Sequence, residues 1–167
     1  MILRTMPLLL ILVFVAPFQG ATKTADFGFA EAGERYSIDP LLIEAISWVE
    51  SHHNPTAINQ NRSGSVDRGH MQINSRYWRD NKWVWWGSLE TDPAYCTMVG
   101  AWILAQEIER WGDTWAGVEA YNTGKSVAAH LDRGDERRAI IAEEYRKKVQ
   151  ARFQKLTHKR RTTWASN

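Results

Sequence analysis

A chain of 167 residues, 44% of them hydrophobic, can bury one core and is too short for two domains of ordinary size. Its single cysteine, Cys96, excludes an internal disulfide, so stability has to come from packing. The net charge of +2 is unevenly spread: positions 145 to 167 carry eight Lys or Arg and no acid, whereas positions 21 to 144 carry twelve basic and nineteen acidic residues.

The chain begins with Arg4, an apolar run from Leu8 to Val15 and a small-residue stretch ending at Ala21, the layout of a secretory signal peptide. The run is well short of the roughly 20 residues that span a membrane, although an uncleaved anchor is the alternative. No cysteine lies nearby, which excludes lipid attachment. Residues 1–21 are therefore read as a Sec-type signal, residues 26–156 as the folded domain and residues 157–167 as a basic tail, in an exported or periplasmic protein.

Phe27 to Tyr36 suits a short helix, broken by Ser37, Ile38 and Asp39. Asp39 before Pro40 is a helix start, and Leu42, Ile46 and Val49 then turn one stripe toward the core. From His52 to Gly69 the periodicity stops and turn-forming residues take over, which predicts a long loop or a small β-hairpin. Met71 to Trp78 is expected as a short helix. Trp83, Trp85 and Trp86 follow, as core filler or as a wall on which sugar rings stack. Met98 to Trp111, closed by Gly112, reads as the most buried helix. Asp113 or Thr114 caps the next, and Asp135 opens a last helix with the stripe Ile141, Tyr145, Val149 and Phe153. The fold class is α+β, mostly α: five or six helices with a small β-hairpin or loop insertion near residues 55 to 70.

Glu50 continues the stripe of Leu42 and Ile46, so a carboxyl is delivered to the inner side of its helix. It lies in the last turn, where the negative end of the helix dipole disfavours ionisation, and partial burial acts in the same direction. A carboxyl tuned this way donates a proton near neutral pH. The alternative is a rim glutamate paired with an arginine.

Glu50-Ser51, Gly69-His70-Met71-Gln72-Ile73-Asn74 and Ala120-Tyr121-Asn122-Thr123-Gly124 occur in the order and spacing of three motifs, Glu-Ser, Gly-Leu-Met-Gln and Ala-Tyr-Asn. The chain thereby resembles the family-1 lytic transglycosylases with a lysozyme-like fold, over roughly residues 27 to 150. Asn61-Arg62-Ser63-Gly64-Ser65 and Val99-Gly100-Ala101-Trp102-Ile103-Leu104 look like the small branch found with type III and type IV secretion, conjugation and pilus systems. The resemblance implies cleavage of peptidoglycan glycan strands, with Glu50 protonating the glycosidic oxygen and later taking the proton of the muramoyl 6-hydroxyl. The substrate's acetamido group would assist, so no second carboxylate is required, unlike the usual glycosidase pair. Ser51 would orient the acetamido or the acid, Met71 and Gln72 would line the cleft, and Tyr121 and Asn122 would hold acid and sugar from the other wall. No cofactor or metal, no nucleic-acid partner and a monomer are expected; components of a secretion or pilus machine are the implied protein partners.

Two positions depart from the motifs: His70 stands where leucine is usual and Thr123 where alanine is. His70 either alters the pH profile or fills space. Gly28 and Ala94 stand where the branch often has cysteines, so both halves of that disulfide are absent together. Two other functions compete. A lysozyme-type hydrolase would cut the same bond with water, and Asp67 is the loop acid able to position it. A non-catalytic wall-binding factor would keep the fold and use the basic tail as a docking arm, whose targets would be anionic wall polymers, lipid headgroups or an acidic partner. The tail is otherwise a solvated helix end.

Overall fold

The computed structural model describes residues 26–165; the signal segment at 1–21 lies outside the described residues. The chain runs α1 (Phe29–Tyr36), α2 (Pro40–Ser51), a three-stranded sheet of β1 (Ile58–Gln60), β2 (Val66–Arg68) and β3 (Ile73–Asn74), then α3 (Ser75–Trp78). A 3-10 turn at Trp86–Ser88 leads into α4 (Pro93–Trp111), α5 (Thr114–Thr123), α6 (Val127–Leu131) and α7 (Glu136–Ala165). The architecture is α+β, mostly α, with seven α-helices among the described residues. Two of them, α3 and α6, are single turns.

The helix starts follow from local chemistry. Asp39, Asp92 and Asp113 each accept a backbone N–H of the first turn, from Leu41, Tyr95 and Ala116 respectively. Pro40 and Pro93 occupy first-turn positions where no amide hydrogen is needed. Asp135 likewise accepts from Arg138 at the head of α7.

Helix α4 packs on α1, α2 and α5, and α7 closes the domain against α2, α5 and α6. The core between them holds Ile43, Ile46, Leu104, Val118 and Val149, none of them exposed. The sheet is an antiparallel meander in the order β1-β2-β3, and its register sets Asn59 opposite Asp67 and Asp67 opposite Asn74. One row of side chains thus crosses all three strands.

Four details differ from the reading of the sequence. Met71 to Trp78 is not one helix: Gln72 has φ 49°, Ile73 and Asn74 pair with β2, and Asn74 then caps α3 by accepting from Arg76. Helix α4 begins at Pro93, five residues before Met98. On α7 the buried positions are Ala139, Ala142, Tyr145 and Val149, with Phe153 packed against the core, so Ile141 turns outward and is 42% exposed; the stripe enters by two steps of three before holding at four from Tyr145. Trp83 and Trp85 are not core, being 69% and 71% exposed, while Trp86 is half-buried with the guanidinium groups of Arg68 and Arg79 over its ring.

Helix α7 carries the chain without a break through position 165, so the described part of the basic tail is helical. Its last two turns are exposed, with Arg160 3.9 Å from the carboxylate of Asp39. No helix among the described residues is long and apolar enough to cross a membrane.

Candidate active site

A cleft of about 880 Å³ opens between the sheet with α3 on one side and α4, α5 and the head of α7 on the other. Glu50 reaches it from the last turn of α2, Asp67 from β2, and Tyr121 and Asn122 from the end of α5.

Glu50 reaches the cleft through a helix end that is unusually tied down. His52 and His53 continue the chain at φ 57° and 63°, and their N–H groups return to the carbonyls of Trp48 and Ser47. Tyr145, ninety-five residues on, donates its hydroxyl to Glu50 Oε1 at 2.6 Å. Burial pushes the Glu50 carboxyl up to about 7; the Tyr145 hydrogen bond pulls it down and the negative charge of Asp67 pushes it further up. The group is therefore close to half protonated near neutral pH, the condition for donating and then recovering a proton at one site. Burial, and then the charge of Glu50, also holds the phenols of Tyr145 and Tyr121 well above their ordinary range, so both act as donors.

Tyr121 spends its hydroxyl on the Met71 carbonyl, 2.9 Å away and fifty residues distant in the chain. That bond fastens α5 to the segment before β3 and so fixes the width of the cleft. Gln72 lines the cleft in its left-handed conformation, its amide donating to the Gly69 carbonyl at 2.9 Å. Asn122 is exposed on the facing wall.

Ser51 and Met71 stand behind the cleft rather than on its surface. The Ser51 hydroxyl donates to the His70 carbonyl at 2.9 Å and accepts the Asn54 N–H at 3.1 Å. Met71 is wholly buried and lies on Gly100, where an added Cβ would fall 2.6 Å from the methionine methyl. Gly69 has φ 69°, and a Cβ there would strike the Leu89 carbonyl and Cys96 Sγ. Glu50, Gln72, Tyr121 and Asn122 thus share the cleft, and Ser51 and Met71 hold its lining in place.

His70 is also behind it. Its ring is fully buried, with Nε2 2.9 Å from the Pro93 carbonyl and Nδ1 2.7 Å from Ser47 Oγ, which is equally close to Nδ1 of His53. A carbonyl only accepts, so Nε2 carries the proton, Nδ1 accepts from Ser47, and Ser47 accepts from His53. Burial lowers His70 to about 4, against the raising effect of the Pro93 contact.

Three parts of the site were missed in the sequence. The spacing puts Tyr145 only in the core stripe; a tyrosine on an inward face, whose hydroxyl needs a partner, is the signal that it reaches a polar group. The turn-rich stretch before the second motif turns out to serve Asp67, whose carboxylate accepts from the amides of Asn74 at 2.6 Å, Asn61 at 2.9 Å and Asn59 at 3.2 Å. Alternating polar residues at 59, 61, 65 and 67 mark that face. Tyr77 and Trp78 add an aromatic edge to the cleft.

A Cβ built on Gly28 falls 3.2 Å from that of Ala94, so the two positions where the resemblance would have cysteines do face each other. Cys96 is buried and free, its thiol pushed up to about 12 by burial.

Residues 27–143 match the family model described as the transglycosylase SLT domain. The chain is 36% identical over 137 residues to the X polypeptide of Escherichia coli, covering 80% of this chain and 76% of that one. It is 35% identical over 128 residues to invasion protein IagB of Salmonella typhimurium, covering 75% and 74% of the two chains. It is 34% identical over 105 residues to protein IpgF of Shigella flexneri, covering 62% and 69%.

Proposed function

The chain belongs to the transglycosylase SLT family, and from that premise we propose that it cuts the β-1,4 bond between N-acetylmuramic acid and N-acetylglucosamine in peptidoglycan, leaving a 1,6-anhydromuramoyl end. The observation that carries this reading is Glu50: one carboxyl, raised to about 7, on a cleft that also presents an aromatic edge. Protonated Glu50 gives its proton to the glycosidic oxygen as the bond to C1 breaks. The 2-acetamido oxygen of the muramoyl residue closes on C1 and carries the positive charge. Glu50, now ionised, takes the proton of the 6-hydroxyl as that oxygen attacks C1 and the acetamido is released. The proton count closes on one group. Tyr145 stabilises the ionised form between the two steps, because its hydrogen bond favours the charged carboxylate.

Asp67 favours a second reading. Its carboxylate lies in the same cleft, near enough to raise Glu50, and three amides fix its position. A carboxylate so fixed can hold a water against C1, which would make the enzyme a hydrolase. Mass spectrometry of products from purified peptidoglycan separates the two: an anhydro end is lighter than a reducing end by one water. The transglycosylase reading stands on anhydro products that vanish in Glu50→Gln and falls if the ends are reducing.

The signal-like segment at 1–21 supports export, which puts the enzyme where peptidoglycan is. The features at 61–65 and 99–104, with a relative named as an invasion protein, support service to a secretion, conjugation or pilus machine. Loss of transfer or secretion in a Glu50→Gln strain, restored by the unaltered chain, tests that role against a non-catalytic one.

A further inference from the structure

On the far side of Trp78 from the cleft is a second groove, of about 370 Å³, lined by Tyr36, Trp83, Tyr95, Met98, Val99 and Trp102. The two hollows share a wall: Trp78 lines the cleft, Trp102 lines the groove, and their rings meet edge to face with centroids 5.2 Å apart. Four of the six lining residues are aromatic. Trp83 is 69% exposed, and Trp85, 71% exposed, stacks on Tyr95 with an interplanar angle of 21°.

Packing does not account for Trp83 and Trp85. Tyr36, Tyr95 and Trp102 are half-buried and pack against the core, but a tryptophan with two-thirds of its surface in water contributes little to it, and the two neighbouring exposed indoles of Trp83 and Trp85 beside an aromatic groove mark a binding surface. The backbone beneath is braced: the Tyr95 hydroxyl accepts the Trp85 N–H at 2.8 Å, and its oxygen is 3.5 Å from the Trp83 carbonyl. The backbone that carries the two indoles is therefore fixed to α4. Neither indole N–H has a hydrogen-bond partner among the described residues. The ammonium of Lys82 lies 5.0 Å over the Trp83 ring, and the guanidinium of Arg35 lies 5.8 Å over Tyr36.

We propose that this groove is a second binding site for the glycan strand, separate from the cleft and joined to it across the Trp78–Trp102 wall. This rests on the peptidoglycan reading above. Pyranose rings offer an apolar face to aromatic planes and hydroxyl or acetamido groups to the unpaired indole N–H groups, a combination that an aliphatic peptide face lacks. The two rim cations suit a polymer that bears carboxylates. A strand held here stays attached to the enzyme while the cleft turns over, so the groove serves retention on the insoluble wall and not the chemical step.

The test uses the full mature chain carrying Glu50→Gln, which does not digest its support. Its retention on peptidoglycan sacculi is compared with that of the same chain carrying Trp83→Ala, an exposed position whose change leaves the fold intact. In the active chain, Trp83→Ala is assayed on a short soluble muropeptide. The expected result is a three- to tenfold weaker retention, the size of one aromatic stacking contact, with kcat/KM on the short substrate within twofold of the parent. Retention should persist on strands stripped of stem peptides by an amidase. Unchanged retention in Trp83→Ala overturns the proposal, as does an equal fall on the short substrate, which would put Trp83 in the cleft. Retention lost on removal of stem peptides overturns it in favour of a peptide occupant. If the parent chain neither binds sacculi nor, with Glu50 intact, releases muropeptides, the peptidoglycan reading falls and this proposal with it.

Discussion

Helix α2 ends between two clusters of ionisable groups that are completed in different ways. On its rear face both ring nitrogens of His70 have partners, with Ser47 bridging to His53 and Thr97 Oγ1 3.2 Å from Nε2. On its front face Glu50 has one hydrogen-bond donor among the described residues, Tyr145, and its carboxyl faces the cleft. Burial perturbs both groups strongly, lowering the histidine to about 4 and raising the acid to about 7. A perturbed group whose bonds are all made by the protein is a structural element. One left incomplete beside a cavity is ready for a substrate.

The strongest challenge to that contrast is Glu50→Gln. It keeps the shape and removes the proton, so muropeptide release should fall by about 10³-fold, within the usual range for a general acid/base. A fall of less than tenfold would move the chemistry elsewhere. The same variant should be more stable than the parent at pH 8 and equal to it near pH 4. Glu50 is raised in the folded state, so the parent loses stability as pH climbs from 4.5 to about 7, and glutamine does not. The gain is at most about 3 kcal/mol, and less to the extent that water reaches the carboxyl.

The histidine cluster has the opposite sign. His70 and His53 are both lowered, so the unfolded chain binds more protons below its ordinary value of 6.5. Stability is complete above pH 6.5 and drains away as pH falls toward about 4, by up to about 3 kcal/mol for His70. His70→Leu, which restores the residue usual in the motif, should flatten that acid limb in urea titrations. It should also cost about 1–2 kcal/mol at pH 7, because Ser47 and the Pro93 carbonyl each lose a partner. The pH dependence of kcat/KM should not move; if it does, His70 belongs to the front face after all.

A smaller effect is expected from Tyr145→Phe. The parent's kcat/KM should fall above about pH 7 as Glu50 ionises. Removing the hydrogen bond that favours the carboxylate shifts that limb to higher pH, with about a tenfold loss of kcat from poorer positioning of the acid. Asp67→Asn should shift the limb the other way, to lower pH, with the smallest change in rate, since Asp67 acts on Glu50 only through charge. A loss as large as that of Glu50→Gln would instead make Asp67 a partner in the chemistry and favour hydrolysis.

Much of this was legible in the chain itself. The Asp-capped helix starts, the mostly helical class and the delivery of Glu50 to an inward face at a helix end all depend on residues a few positions apart, whose spacing the helix period fixes. So does the division between a mixed-charge body and a basic end. The resemblance puts Gln72, Tyr121 and Asn122 on the cleft of Glu50, but the bonds and charges that tune the acid were not legible, because each comes from a distant element. Tyr145 arrives from α7, Asp67 depends on strand register, and Tyr121 reaches the Met71 carbonyl across the cleft.

Ser51 and Met71 make the same point from the other side. Both lie in motifs next to residues of the cleft, yet the left-handed turn at Gln72 and the end of α2 carry them behind its surface. Spacing along a helix or strand sets which face a side chain is on. Whether that face meets a cavity, another side chain or solvent is decided only when the elements pack, since burial and hydrogen bonding are properties of the neighbours.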